Sequence, residues 1–327
     1  MSRTRLLSLL AALAALLLVL AACADDDADQ AAEEPAEDDA PLALDEDDDG
    51  DDEGDDEVVE DDEVAEDEAV EEEEALDVEA AVHQYASTLP DGWMAMSDTE
   101  EFKDAMAVDG TVLIDVREEG EFAEGHLPGA INIPIRELPE NLDKIPTDRP
   151  VLIYCASGWR AGLALSSLGL MGYDNLTAYP PSVQGWEADG EELVNEDNEA
   201  EVFGEPDLDP AMVDAVGDFL ATLPEGFLTN SLDDVKAALD AGAGLVDVRE
   251  MDAFEEGHIA DAIAVPLRTV AAGEAEVPTD TTVIVMCQSG YRASLALPMY
   301  HVLGYTNTEG FPGSYNAWVD ADEPVVG

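Results

Sequence analysis

Val151-Leu152-Ile153-Tyr154-Cys155-Ala156-Ser157-Gly158-Trp159-Arg160 and Val283-Ile284-Val285-Met286-Cys287-Gln288-Ser289-Gly290-Tyr291-Arg292 carry the same pattern twice in one chain. In each, an apolar run of strand type leads into a cysteine, then a glycine and an arginine, and an Ala/Leu-rich stretch follows. That order predicts a buried strand, a tight loop and a helix. The loop amides and the positive end of the helix then face the sulfur, an arrangement that favours an anion and hence a thiolate. The chain is therefore expected to hold a reactive thiol at two equivalent places.

The repeat extends well beyond these loops. A constant offset of 132 residues matches Asp115 with Asp247, Arg117 with Arg249, His126 with His258, Arg136 with Arg268, and Trp186 with Trp318. Upstream, with a small shift, Leu89-Pro90-Asp91-Gly92-Trp93 matches Leu223-Pro224-Glu225-Gly226-Phe227. Each copy spans over 100 residues, a length that allows a core of its own. The expected organisation is a tandem pair, with copy one over 81–196 and copy two over 211–323.

The strands alternate with helices in each copy. In copy one, 97–107 reads as a capped helix, 111–116 as a buried strand, 118–124 as a short helix and 131–133 as a brief strand. Then come a central strand at 151–154, a helix at 160–171, a last strand at 175–179 and a closing helix turn at 183–187, with 83–88 as a helical lead-in. This order predicts a small parallel sheet flanked by helices, an α/β fold. Ligands of such sheets bind beyond the strand C-termini, where Cys155 and Cys287 fall.

The rest of the chain has a different character. Arg3 and Arg5 precede an apolar run at 6–22 that ends in Leu20-Ala21-Ala22-Cys23. This reads as an export signal (1–23) whose terminal tetrad resembles a bacterial lipobox, with Cys23 as the lipidated residue. The expectation is an extracytoplasmic, membrane-anchored lipoprotein. Residues 24–80 carry a dense run of Asp and Glu without Lys or Arg, and read as a disordered spacer. The three cysteines are thereby assigned, one to lipid and one to each copy. A Cys155–Cys287 disulfide would need the two loop tips to meet and is not expected.

Formal net charge is −67, from 79 Asp and Glu against 12 Lys and Arg, which excludes nucleic acid as a partner. Of the ten cations beyond Glu79, eight recur in corresponding places: the three arginine pairs Arg117/Arg249, Arg136/Arg268 and Arg160/Arg292, with Lys103/Lys236. In so acidic a chain those cations are expected to have specific tasks.

With these residues assembled, both copies resemble the rhodanese homology family. Asp115-Val116-Arg117-Glu118, Glu121-Phe122 and Gly125-His126-Leu127-Pro128-Gly129-Ala130-Ile131-Asn132-Ile133-Pro134 resemble its N-terminal signature, and Cys-x-x-Gly-x-Arg its active-site loop. The resemblance covers roughly 83–190 and 211–321. It departs at Ala260-Asp261-Ala262, where copy one has Pro128-Gly129-Ala130, and at Tyr179-Pro180-Pro181-Ser182, where a Gly-Gly turn is usual. Many tandem members of the family keep the cysteine only in the second copy; this chain keeps both.

The resemblance implies a sulfurtransferase that moves sulfane sulfur from a donor such as thiosulfate to a thiol or cyanide through a cysteine persulfide, with no cofactor or metal. A phosphatase of related fold has one more residue between Cys and Arg; the shorter interval here matches the sulfur-handling form. Cys155 and Cys287 would be the nucleophiles. Ala156, Ser157, Gly158, Trp159 and Arg160, with Gln288, Ser289, Gly290, Tyr291 and Arg292, would form the anion-holding loops. Asp115 and Asp247 are expected to bond nearby N–H groups, Arg117 and Arg249 to pair with a neighbouring Glu, and His126 and His258 to steady turns. Arg136 and Arg268 would attract substrate or form surface ion pairs, and Trp159 and Tyr291 would wall the pocket or simply pack. The alternative is a non-enzymatic module that binds sulfide or polysulfide or senses oxidants.

Overall fold

The computed structural model describes residues 76–273 and 275–327. The signal segment, Cys23 and nearly all of the acidic stretch lie outside the described residues. The first element, α1 (Val78–Thr88), begins inside the stretch read as spacer. Asp77 caps it through Ala80 N at 3.0 Å, and Val82 and Ala86 are fully buried, so burial extends order upstream of the expected boundary.

Copy one continues with α2 (Thr99–Met106), β1 (Val112–Asp115), α3 (Glu119–Glu124) and β2 (Ile131–Asn132). After a 3₁₀ stretch, Ile135–Lys144, which sequence reading leaves out, come β3 (Val151–Tyr154), α4 (Trp159–Met171), β4 (Leu176–Ala178) and α5 (Ser182–Ala188). Copy two repeats the order with α6 (Pro210–Ala221), α7 (Leu232–Asp240), β5 (Gly244–Asp247), α8 (Met251–Glu256) and β6 (Ile263–Ala264). It ends with β7 (Val283–Met286), α9 (Tyr291–Val302), β8 (Thr308–Gly310) and α10 (Ser314–Asp320). The two sheets are all parallel, in the orders β2-β1-β3-β4 and β6-β5-β7-β8. The α/β expectation therefore holds for both copies.

Alternation along the strands sorts side chains to two faces. Leu113, Leu152 and Tyr154 pack with Phe102 of α2 and Trp186 of α5 in a cluster belonging to copy one. Leu245, Ile284 and Met286 do the same with Val235, Phe311 and Trp318 in copy two. The opposite faces, Ile114, Val151 and Ile153 in one sheet and Val246, Val283 and Val285 in the other, join a single apolar cluster that runs through both copies. Each copy thus has only half of its core to itself.

Helices α4 and α9 form the seam. Gly162 sits so close to Ser294 that a Cβ there would lie 2.0 Å from its Oγ, and Ser166 Oγ donates to Leu295 O at 2.7 Å. The lead-in helices are exchanged: α1 packs on the 3₁₀ turn Leu267–Thr269 of copy two, and α6 on the 3₁₀ stretch of copy one. Arg136 and Arg268 fasten this exchange. Arg136 pairs with Glu118 at 2.6 Å and donates to Leu223 O and Pro224 O. Arg268 pairs with Glu250 and Asp91 and donates to Leu89 O at 2.9 Å. Their ion pairs were one of the two expected roles; their reach into the other copy was not.

Both departures from the family pattern keep the expected backbone. Asp261 takes the left-handed conformation (φ 62°) that Gly129 takes in copy one (φ 81°), a conformation Asp tolerates better than most residues. Pro181 (φ −58°, ψ −33°) and Gly313 (φ −67°, ψ −30°) are nearly superposable. The proline is accommodated because its neighbour one helical turn on is Gly185, whose missing Cβ would lie 2.2 Å from Pro181 Cβ; copy two reverses the sizes with Gly313 and Ala317.

Candidate active site

Each cysteine follows the C-terminal end of a central strand of its sheet, β3 or β7. Cys155 is the residue after β3, and Asp115 at the end of β1 is in register with Tyr154. Cys155 and Cys287 are both free thiols and both about 1 % exposed. The loop folds back on the sulfur: Gly158 N lies 3.1 Å from Cys155 Sγ, and Gly290 N lies 3.1 Å from Cys287 Sγ. The glycines open α4 and α9 with φ of +93° and +98°, and a Cβ at either would fall within 2.4 Å of a proline carbonyl oxygen, that of Pro180 or Pro312. Glycine is required there both for the left-handed turn and for the close approach.

The loops are anchored from behind by residues that sequence reading overlooked. Ser182 Oγ accepts from Cys155 N at 3.1 Å, donates to Tyr179 O at 2.8 Å and lies 3.8 Å from the sulfur. Ser314 repeats this at Cys287, with Cys287 N at 3.0 Å and the sulfur at 3.9 Å. Both serines are fully buried with positive φ. Their spacing of 132 was the available signal. The backbone carbonyls of Ala156 and Gln288 accept from Gln184 N and Asn316 N, each at 3.0 Å, and Gln288 Nε2 donates to Asn316 Oδ1. Each loop therefore has a carbonyl tied down from behind and its glycine amide turned towards the sulfur, a donor of the kind an anion site requires.

The two loops meet across a shared cavity of about 310 Å³, lined by Ser157, Gly158 and Trp159 on one side and by Ser289, Gly290 and Tyr291 on the other. Although the loops share this cavity, Cys155 and Cys287 are unbridged, as expected. Trp159 and Tyr291 also reach into the opposite copy. Trp159 Nε1 donates to Phe227 O at 2.8 Å, and Tyr291 Oη donates to Trp93 O at 3.2 Å. Phe227 in turn lies beneath Arg136 and Arg160, and Trp93 beneath Arg268 and Arg292. Each site is completed by an aromatic ring from the other copy, and these cation–π contacts desolvate its arginines.

The supporting carboxylates are taken up by arginines. Asp115 accepts Arg117 N at 2.9 Å and pairs with its guanidinium at 2.7 Å, while Arg117 Nη2 also donates to Gly125 O at 2.7 Å. Asp247 and Arg249 repeat the arrangement at 3.0, 2.6 and 2.8 Å. The partner of Arg117 and Arg249 is thus this aspartate, not the neighbouring glutamate that was expected, because the turn after the strand folds the arginine back over the strand end. His126 and His258 stack on Phe122 and Phe254 and contact the Phe carbonyl through Nδ1, as turn supports.

Glu121 instead closes on Arg160 in a two-pronged ion pair, Nη1–Oε2 2.5 Å and Nη2–Oε1 2.7 Å. Hydrogen bonding to the guanidinium holds the Glu121 carboxyl below its ordinary range, so at neutral pH it is charged and the pair is closed. Burial works against the charge of Arg160, yet the Glu121 hydrogen bond and the surrounding negative charge leave its pKa raised.

The family comparisons agree with this geometry. The model for the rhodanese-like domain matches residues 98–189 and 231–321. A sulfurtransferase of Allochromatium vinosum is 32 % identical over 98 residues, covering 30 % of this chain and 92 % of the relative. A thiosulfate:glutathione sulfurtransferase of Saccharomyces cerevisiae is 34 % identical over 92 residues, covering 24 % of this chain and 66 % of the relative. Among solved structures, the thiosulfate sulfurtransferase of Pseudomonas aeruginosa is 20 % identical, with 74 % of this chain and 47 % of that one covered at a TM-score of 0.32. With two matched stretches that together span more than half of its length, each containing one Cys-x-x-Gly-x-Arg loop, the chain belongs to the rhodanese-like domain family, among sulfurtransferase relatives.

Proposed function

We propose that this chain is a sulfurtransferase that carries sulfane sulfur as a persulfide on Cys155, Cys287 or both. The observation behind this reading is a glycine N–H 3.1 Å from each sulfur at the start of a helix. The thiolate attacks the outer sulfur of a donor such as thiosulfate. A new S–S bond forms, the donor S–S bond breaks, and sulfite leaves with the electron pair. The outer sulfur remains as a persulfide anion, which the loop amides and the helix end stabilise. A thiolate acceptor or cyanide then attacks that outer sulfur, takes it away and restores the cysteine thiolate. No net oxidation or reduction occurs and no cofactor is called for.

Transfer of sulfur from thiosulfate to cyanide, measured on the purified chain and on Cys155→Ser and Cys287→Ser, tests the reading. Turnover that falls in one or both single variants and vanishes in the double variant is expected. Sulfur uptake without turnover towards any acceptor would point instead to a binding or sensing module.

The sequence of residues 6–23 further supports a proposal on location, that a lipid on Cys23 tethers the pair outside the cytoplasm. Membrane fractionation of a Cys23→Ser chain checks it: release from the membrane is expected, and unchanged retention would contradict the tether.

A further inference from the structure

The two loops are alike in backbone but not in the state of their arginines. Arg160 has both terminal nitrogens committed to Glu121, and its side chain is 10 % exposed. The position matching Glu121 at the offset of 132 is Ala253, in the same register of α8 as Glu121 in α3. Arg292 therefore lacks the carboxylate that closes its counterpart. Among the described residues it has no ion pair within 4.0 Å and no side-chain hydrogen bond, only the Trp93 ring at 5.5 Å. The extra carboxylate on the copy-two side, Asp91, binds Arg268 rather than Arg292 and is fully exposed, where water screens it.

Resting on the sulfur-transfer reading above, we propose that Cys287 is the site loaded by oxyanionic sulfane donors such as thiosulfate, and that Glu121 withholds Arg160 from such donors at Cys155. The sulfonate end of thiosulfate carries the oxygens that a planar guanidinium binds in paired fashion. At Cys287 an uncommitted fork stands at the start of the helix that opens beside the thiol. At Cys155 the donor would first have to displace a half-buried, two-pronged carboxylate of like charge to its own. In a chain of net charge −67 an unshielded cation is also what draws an anion in. Glu121 acts through Arg160 and is a positioning residue.

Paired alkylation separates local charge from general reactivity. The full chain is treated with anionic iodoacetate or neutral iodoacetamide, and each cysteine is followed by peptide mass. The ratio of the two rates reads the charge seen at each thiol; a merely structural change would move both rates together. We expect the ratio to be higher at Cys287 by about tenfold, a preference that shrinks as salt is added. Glu121→Gln should raise the ratio at Cys155, and Ala253→Glu should lower it at Cys287. Thiosulfate should load sulfur on Cys287 first, and Glu121→Gln should narrow the difference. Ala253→Glu, at a half-buried position of a short helix that carries Glu at the matching place in copy one, keeps the test open should Glu121→Gln fail to fold.

Equal ratios at the two cysteines, or ratios that neither substitution moves, would overturn the proposal. Sulfur loading at equal rates on both cysteines would overturn it while leaving sulfur transfer intact. Failure of either cysteine to gain sulfur from thiosulfate or polysulfide would overturn it together with the reading beneath it.

Discussion

Either copy produced alone should fail to reach a native fold, while the tandem chain should unfold in one cooperative transition. The inner faces of both sheets belong to one apolar cluster, sealed along α4 and α9. Cutting the chain between the copies would expose side chains that are now fully buried, including Leu165 and Leu168 on α4 and Leu295 and Met299 on α9. It would also remove the exchanged lead-in helix from each half, together with the carbonyls of Leu223, Pro224 and Leu89 that Arg136 and Arg268 hold. Burial of one Leu-sized side chain contributes about 1.5–3 kcal/mol, so losing the four on α4 and α9, about 6–12 kcal/mol, is as large as the roughly 5–15 kcal/mol by which a domain is stable. Calorimetry on the tandem chain and circular dichroism on the separate halves check this. Two independent transitions, or a half with native near-ultraviolet signal, would contradict a shared core.

Asp247→Ala should destabilise the chain by about 3–5 kcal/mol, the usual cost of leaving a buried charge without its partner. Arg249 is 1 % exposed, and it is held by Asp247, by Gly257 O and by the face of Tyr315, 4.0 Å from the ring centroid. Removing the carboxylate leaves a guanidinium that can neither reach water nor lose its proton. Asp247→Asn should fall between the two, since the amide oxygen still accepts from Arg249 but carries no charge. Denaturant unfolding of the three chains gives the order directly. Because the Cys287 sulfur is contacted by Gly290 N and Ser314 Oγ and not by this pair, the folded fraction of Asp247→Asn should still accept sulfur at Cys287. A change in sulfur uptake without a change in stability would show that Asp247 takes part in the chemistry.

Much of this architecture was readable in advance. The runs at 111–116 and 151–154, each bounded by turn residues, could only be short buried strands, and helical stretches between them required parallel pairing. The loops were readable because the chain writes them twice. Ends of elements shifted by a residue or two where capping decided them, as at Trp159, which opens α4 because Gly158 takes the left-handed turn before it.

Contacts that cross between the copies were not readable. The stretch 89–93 looked like the upstream edge of copy one, yet its Trp93 ring and Leu89 carbonyl complete copy two, 179 residues away from Leu89 at Arg268. Matching sequence shows that two segments are equivalent; it does not show on which copy each one packs. The choice of partner for each arginine was hidden for a similar reason. Arg117 and Arg160 both have acidic neighbours within reach along the chain or across the fold, and only the direction of the turn after β1 assigns Asp115 to the first and Glu121 to the second. Once that assignment is known, the alanine at 253 gains meaning that no inspection of one copy could supply.

Intact mass spectrometry of the purified chain, before and after exposure to thiosulfate or polysulfide, tests the persulfide account most directly. The account predicts a gain of one sulfur atom for each working site, mapped to the peptides of Cys287 and Cys155 and discharged by cyanide. An unchanged mass with both thiols reduced and accessible to alkylation would contradict it.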